Sequence, residues 1–146
     1  MMKKRYFGWA GKEPFDPRDR HYVVSGAVLD ALPPAVDLSN RIKTPAFNQS
    51  NLGSCGAFSA KRDLLFDEEQ PSAPDVMPRA LAIDFFARKV MGTINQDSGV
   101  FNRDLCKALA MYGWPREELW PYVISKFREE PPPDVLDGRQ AVQVHQ

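Results

Sequence analysis

Two residues whose types and spacing could do chemistry stand six positions apart, Gln49 and Cys55. Ser54 is a good helix N-cap, so it predicts that Cys55 lies in the first turn of a helix. At that place unpaired backbone amides and the helix dipole favour the thiolate, which is the nucleophilic form of cysteine. The side-chain amide of Gln49 and the backbone amide of Cys55 are able to donate to the oxyanion of a tetrahedral intermediate. The pattern indicates nucleophilic attack on a carbonyl carbon, although a lone cysteine is also a common small residue of protein cores.

The other cysteine and both histidines show no such pattern. Cys106 falls in a predicted amphipathic helix beside Leu105 and Leu109, which predicts a core or half-buried thiol. His21 precedes Cys55, His145 is the penultimate residue, and both are isolated from other metal-ligating residue types. The sequence therefore predicts no metal site, no disulfide framework and no cofactor.

The first part of the chain is predicted to be extended. Residues 1–31 are rich in aromatic residues, charges and turn formers, and we interpret them as an extended leader arm anchored by Phe7, Trp9 and Phe15. The valines and leucine of residues 23–29 predict a short strand or turn within it. Because a proline pushes the residue before it toward extended geometry, two further extended pieces are predicted. They are residues 32–38 and 44–47.

From residue 54 onward the spacing of apolar residues becomes that of helices. Three helices are predicted, with Gly or Pro at or near their ends. They cover residues 54–70, 78–92 and 97–113. The predicted organisation is a leader arm (1–31), a helical subdomain that carries Cys55 (32–133) and a frayed tail (134–146).

The composition is that of a folded protein without electrostatic bias. Of 146 residues, 43% are hydrophobic and 26% charged, and 19 basic residues balance 19 acidic ones. Because no net field results, neither a nucleic acid nor a membrane surface is expected as a partner. No apolar run reaches the roughly 18 residues of a membrane span, and the N-terminus lacks the apolar core of a secretory signal. The expected location is the cytoplasm.

The order and spacing of several motifs resemble the N-terminal, nucleophile-bearing part of papain-like cysteine peptidases. The matching motifs are Leu32-Pro33, Val36-Asp37, Thr44-Pro45, Asn48-Gln49, Gly53-Ser54-Cys55 and Ala57-Phe58-Ser59. Motifs similar to those of the bacterial and phage members are Phe7-Gly8-Trp9, Asp16-Pro17-Arg18-Asp19, Asp97-Ser98-Gly99, Arg103-Asp104, Tyr112-Gly113 and Trp120-Pro121-Tyr122. The resemblance spans residues 6–133.

This resemblance implies an α+β papain-like fold, of which the chain is mainly the α-helical half, with about three helices after extended segments. It also implies a peptidase that acts on peptides or proteins. Carried over by position, Cys55 is the nucleophile and Gln49 the oxyanion-hole residue, while Ser98 and Gly99 line the substrate cleft.

The chain departs from the family at the general base. The catalytic histidine of such enzymes follows the cysteine by about 130–150 residues, a distance that this sequence does not reach, and no Asn-Ser-Trp segment supplies the orienting asparagine. A helix N-terminus favours a thiolate but cannot protonate a departing amine. The first hypothesis is therefore a papain-like cysteine peptidase that is incomplete or inactive as this chain alone.

Two further hypotheses stay open. One is a catalytically dead papain-like binding module, which could be associated with a virion, and the other is a truncated gene product. In each case the helical half leaves an apolar cleft face uncovered, which predicts self-association or a second chain that covers this face.

Overall fold

The computed structural model describes residues 8–20, 23–42, 45–67, 80–115 and 119–137. Five helices lie within these ranges: α1 (Gly26–Asp30), α2 (Cys55–Asp67), α3 (Ala80–Met91), α4 (Asn102–Tyr112) and α5 (Pro133–Asp137). Short 3₁₀ turns occupy Ser39–Arg41 and Ile124–Lys126. An isolated parallel bridge joins Trp9 to Val100. The prediction of a mainly helical chain with three principal helices is confirmed for these ranges.

Helix α3 is the centre of the core. Its side chains are buried on nearly every side, among them Leu81, Phe85 and Phe86, each at most 2% exposed. It packs on α2 and, more extensively, on α4, where the ring of Phe86 stacks on Tyr112 with centroids 4.5 Å apart. The two flanking helices bury the large rings of α3, and each buried ring contributes roughly 1.5–3 kcal/mol to the stability of the fold.

A buried ion pair fastens α3 to the loop that follows it. Asp84 and Arg88 are one helical turn apart and each is 1% exposed, with Arg88 Nε donating to Asp84 Oδ2 at 2.8 Å. Arg88 also donates to the carbonyl oxygens of Ile94 at 2.7 Å and Phe127 at 2.5 Å. Burial raises the pKa of Asp84 to about 6, against the opposing influence of Arg88. The pair thus holds both the loop after α3 and the segment before α5.

The N-terminus of α4 differs from the prediction. The helix begins at Asn102 rather than at Asp97 and Ser98, because Gly99 has φ +66° and Val100 is extended in its bridge with Trp9. The predicted end is confirmed: Tyr112 is the last helical residue, and Gly113 follows it with φ +63°.

The leader also differs from its prediction. Residues 23–29, expected to form a strand or turn, instead include the short helix α1 (Gly26–Asp30). Trp9 and Phe15, expected as anchors, are 59% and 89% exposed, and the third expected anchor, Phe7, lies outside the described residues. Backbone and charged contacts, rather than aromatic rings, hold residues 8–20, called the arm below.

The chain after the arm carries an exposed apolar stretch. Residues 23–42 are exposed at every position except Val24, which is intermediate. The large apolar residues concerned are Val23, Val28, Leu29, Leu32, Val36, Leu38 and Ile42. We call this stretch, residues 23–42, the apolar segment.

Two remaining features concern the predicted tail and membrane span. Residues 134–137, the start of the predicted frayed tail, lie in α5, and its remainder falls outside the described residues. None of the helices in the described ranges is long and apolar enough to cross a bilayer.

Candidate active site

Cys55 is the first residue of α2, as the N-cap signal of Ser54 predicted. The carbonyl oxygen of the fully buried Ser54 accepts the N–H of Phe58 at 3.1 Å, which closes the first helical turn. The Ser54 N–H in turn donates to the carbonyl oxygen of Leu52 at 2.9 Å. The sulfur therefore sits on a rigid, well-packed helix start, at the positive end of the helix dipole.

The arm passes directly over the sulfur of Cys55. The backbone N–H of Gly8 donates to Cys55 Sγ, with 3.1 Å between nitrogen and sulfur, and the thiol is half-buried. A Cβ at Gly8 would clash with the Gly53 carbonyl oxygen and lie 2.5 Å from the Cys55 backbone nitrogen. A Cβ at Gly99 would lie 2.6 Å from the Gly8 carbonyl group. The arm comes this close to the thiol only because both positions are glycine.

Two sets of contacts hold the arm in this place. Next to the sulfur, Val100 N–H donates to Gly8 O at 2.7 Å and Ala10 N–H donates to Val100 O at 3.1 Å. Farther along, Arg103 at the start of α4 reaches the arm repeatedly, with its backbone N–H 2.6 Å from a Glu13 carboxylate oxygen. Its guanidinium lies 2.5 Å from Asp19 Oδ2, and it donates to the carbonyl oxygen of Pro14 at 3.2 and 3.3 Å.

Gln49 lies in the loop that leads to α2. Its side-chain nitrogen donates to the Leu52 carbonyl oxygen at 2.9 Å, the same oxygen that accepts the Ser54 N–H. Its backbone carbonyl accepts the hydroxyl of Tyr122 at 2.9 Å, and that hydroxyl is 2.7 Å from Ser54 Oγ. A shared set of hydrogen bonds therefore joins Gln49 to Ser54, the residue that directly precedes Cys55.

The two predicted cleft residues lie differently. Gly99 lies against Gly8, the arm residue whose N–H donates to Cys55 Sγ, and its role as a cleft residue stays a prediction. Ser98 instead bonds within its own loop, with its hydroxyl 2.9 Å from Thr93 Oγ1 and 2.9 Å from the Gly99 carbonyl oxygen. The neighbouring Asp97 reaches the site from this loop, since its Oδ1 accepts the Gly53 N–H at 2.8 Å.

Cys106 does not take the predicted core or half-buried position. Its thiol is exposed and lies in a shallow depression between the arm and α4, with Glu13 and Arg103 among the lining residues. The apolar face of α4 turns Leu105 and Ala108 inward and leaves the adjacent position outside. Partial desolvation and, to a lesser degree, the Glu13 carboxylate raise the pKa of this thiol. Both effects disfavour the thiolate form of Cys106.

Three contributors to the site were not identified as such from the sequence: Gly8, Asp97 and Tyr122. All three stand in motifs that carried the resemblance, and a glycine between two aromatic residues was a signal for close backbone approach at Gly8. His21 and His145, the only histidines of the sequence, lie outside the described residues. Among the residues that the structure does describe, no cluster of three or more His, Cys, Asp or Glu forms a metal site.

Comparison with known proteins points in the same direction as this geometry. No family model matches the chain. An uncharacterized peptidase C1-like protein of Acanthamoeba polyphaga mimivirus is 35% identical over 86 residues, which are 58% of this chain and 28% of that protein. Among solved structures, xylellain, a cysteine protease from Xylella fastidiosa, matches with a TM-score of 0.75 and 29% identity. That match covers 96% of this chain and 57% of xylellain.

The chain thus spans well under two thirds of both proteins. The two matches support a relationship with papain-like cysteine peptidases, and the helical architecture is consistent with the helical part of that fold.

Proposed function

We propose that this chain is the nucleophile-bearing helical part of a papain-like cysteine peptidase and that its arm holds the site closed. In this proposal the sulfur of Cys55 attacks the carbonyl carbon of a peptide bond. The carboxamide of Gln49 and the backbone N–H of Cys55 donate to the oxyanion that forms, and Gly99 borders the bound peptide. The observation that carries the proposal is the place of Cys55 at the first residue of α2, linked through Ser54 and Leu52 to Gln49.

Peptide hydrolysis also requires a proton for the departing amine. A histidine commonly supplies it, and neither of the two histidines lies among the described residues. A proton donor from outside this part of the molecule, on the same polypeptide or on a second chain, is therefore part of the proposal. We further propose that the chain as given turns over peptide bonds poorly or not at all, while its thiol remains competent to form covalent adducts.

A peptidyl epoxide tests the proposal, because opening of the epoxide by the thiolate needs no leaving amine. Because the arm covers Cys55, the adduct is read by mass spectrometry near neutral pH after a long incubation, and also in the Gly8→Ala variant, whose arm must lift. The expected result is a single adduct on Cys55, which forms faster in Gly8→Ala, no adduct on Cys106 and no adduct in the Cys55→Ala variant. A fluorogenic peptide should show little or no turnover with the same preparation. Equal labelling of Cys55 and Cys106 would contradict the proposal, since a helix-start thiol with no peptide-binding surface would not be selected.

A second candidate function, a binding module without catalysis, is favoured by a different observation. The apolar segment is uncovered in the described part of the chain, and large exposed apolar patches commonly mark binding surfaces. In that case Cys55→Ala should leave partner binding unchanged, whereas replacement of Leu29 and Leu32 by lysine should abolish it.

A further inference from the structure

The hydroxyl of Tyr122 bridges the two segments that carry the proposed oxyanion donors. It donates to the backbone carbonyl of Gln49 at 2.9 Å, and it is 2.7 Å from the hydroxyl of Ser54. A tyrosine has one hydroxyl hydrogen, and a carbonyl oxygen only accepts. Because that hydrogen goes to Gln49, the Ser54 hydroxyl must donate to Tyr122. The order of donation is therefore fixed from Ser54 through Tyr122 to Gln49.

The ring of Tyr122 is held in place by its own packing. It meets the edge of Phe58, one turn into α2, with centroids 5.0 Å apart and an interplanar angle of 73°. Phe58 in turn contacts Phe47, with centroids 6.2 Å apart, on the loop that leads to Gln49. The aromatic contacts thus join the same two segments, the loop and α2, that the hydroxyl joins by hydrogen bonds.

We propose that Tyr122 is a positioning residue that sets the Gln49 carboxamide and the Cys55 backbone N–H at the separation needed to bind one oxyanion. The Leu52 carbonyl oxygen accepts hydrogen bonds from the Gln49 side-chain N–H and from the Ser54 backbone N–H. These two bonds fix the short connection between the proposed oxyanion donors. The phenol adds a second connection that closes a ring of hydrogen bonds, so the loop cannot drift from the helix start. This inference rests on the proposed function, because it assigns a role within the same site.

A short peptide aldehyde, N-acetyl-alanyl-alaninal, separates oxyanion binding from reactivity of the sulfur. The sulfur of Cys55 bonds to the aldehyde carbon, the carbonyl π pair moves to oxygen, and the thiol proton ends on that oxygen. No leaving group departs, so no external acid is needed. Alkylation by iodoacetamide replaces iodide at a saturated carbon and develops no oxyanion. The two reagents therefore report on different parts of the site.

The experiment uses the full chain with Cys106→Ser, so that Cys55 is the one thiol. The aldehyde dissociation constant is measured by protection of Cys55 from iodoacetamide, in the parent, in Tyr122→Phe and in the control Tyr112→Phe. Tyr112 lies in α4, where its ring stacks on Phe86. Tyr112→Phe therefore removes one phenol hydroxyl, as Tyr122→Phe does, but at a different place in the fold. We expect Tyr122→Phe to weaken aldehyde binding by about tenfold, below the roughly 10²–10³-fold loss for an oxyanion donor itself. Its alkylation rate without aldehyde, and both quantities in Tyr112→Phe, should stay within about twofold of the parent.

The other outcomes overturn the inference in distinguishable ways. Unchanged aldehyde binding in Tyr122→Phe contradicts the positioning role and leaves the proposed function intact. A changed alkylation rate together with equally changed aldehyde binding assigns the hydroxyl to the fold alone and also contradicts the role. If Cys55 is alkylated but the aldehyde binds neither to the parent nor to the parent carrying Gly8→Ala, in which the arm must lift, the proposed function fails and the inference fails with it.

Discussion

Gly8 and Cys55 meet at a distance that leaves no room for a side chain. The Gly8 nitrogen lies 3.1 Å from the sulfur of Cys55, so the backbone of the arm covers both this sulfur and the backbone N–H of Cys55. A peptide carbonyl cannot reach Sγ while the arm occupies this position. The rate at which a reagent modifies Cys55 is therefore limited first by the cover that residues 8–10 provide, and only then by the reactivity of the thiol.

The Gly8→Ala variant tests this arrangement at the residue scale. The added Cβ would clash with the Gly53 carbonyl oxygen and the Cys55 backbone nitrogen, so the arm must lift. Overpacking of this kind costs roughly 1–3 kcal/mol, and each 1.4 kcal/mol corresponds to about tenfold. We expect alkylation of Cys55 by iodoacetamide to become about tenfold faster, measured by mass spectrometry at constant pH.

Gly26→Ala is the matched control for this variant. A Cβ at Gly26 meets nothing within 4 Å, so its alkylation rate should equal that of the wild type. A Gly8→Ala rate equal to the wild type would show that the arm does not restrict access to the sulfur.

At the scale of elements, α4 is connected to the arm chiefly through Arg103. The side chain is 24% exposed and contacts a carboxylate and a carbonyl oxygen of the arm, while its backbone N–H binds Glu13. A partly shielded charge with several charge-assisted bonds contributes more than an isolated surface pair. The helix start therefore acts as the second attachment point of the arm, after the bridge at Val100.

Loss of this attachment should loosen the arm without disturbing the nucleophile. The Arg103→Ala variant is expected to accelerate Cys55 alkylation by about three- to tenfold, equivalent to roughly 0.7–1.4 kcal/mol. High salt should give the wild type part of the same acceleration, since it screens the contacts of Arg103 with Asp19 and Glu13.

Lys107→Ala provides the comparison, because Lys107 pairs with Asp104 within α4 rather than with the arm. It should react at the wild-type rate at every salt concentration. Equal Cys55 alkylation rates in Arg103→Ala and Lys107→Ala would contradict a role of Arg103 in holding the arm over the sulfur.

The link between α3 and its following loop is expected to respond to pH. Asp84 has a pKa raised to about 6, chiefly by burial, from 3.8. Between these values the folded state holds a proton that the unfolded state releases, so this residue's contribution to stability falls as pH rises through that window. An Asp84→Asn variant has no such proton. The wild type should therefore exceed it in unfolding free energy by more at pH 4.5 than at pH 7.5, by about 2 kcal/mol.

Urea unfolding at the two pH values measures this difference directly. The opposite result would be a larger excess of wild-type unfolding free energy at pH 7.5 than at pH 4.5. It would mean that the attraction of Arg88 for the Asp84 carboxylate outweighs the cost of burying that charge, and it would contradict the raised pKa.

What the sequence could predict at this scale depends on how local the signal is. Ser54 before Cys55 is a neighbouring-residue signal, and α2 begins where it indicates. Asp97 and Ser98 look equally like a helix start, but the positive φ of Gly99 and the bridge at Val100 delay α4 to Asn102. That delay depends on the arm, since the bridge residue Trp9 lies 91 positions before Val100.

At the scale of the whole molecule, the sequence predicted the helix that begins at Cys55 but not the arm that covers this residue. The bond from Gly8 to Cys55 spans 47 positions and that from Arg103 to Glu13 spans 90. Contacts of such separation have no periodicity or spacing to reveal them. They depend on tertiary packing, and the arm itself has exposed aromatic rings that suggested a different mode of anchoring.

The apolar segment leads to the last prediction, which concerns assembly. Leu29, Leu32 and Val36 are 55%, 59% and 66% exposed, and the described part of the chain does not cover them. Burial of such side chains contributes roughly 25 cal/mol for each Å² removed from water, so we expect the chain to self-associate or to bind a second chain through them.

Replacing all three by lysine should return the mass from light scattering to that of a monomer and reduce the fluorescence of an apolar dye several-fold. The control replaces Met111, Leu119 and Val123, which are exposed elsewhere, so that it adds the same charge; it should keep the wild-type mass. A wild type that is monomeric but binds the dye would assign the apolar segment to a different partner chain, whereas a monomer that binds no dye would contradict an open apolar surface.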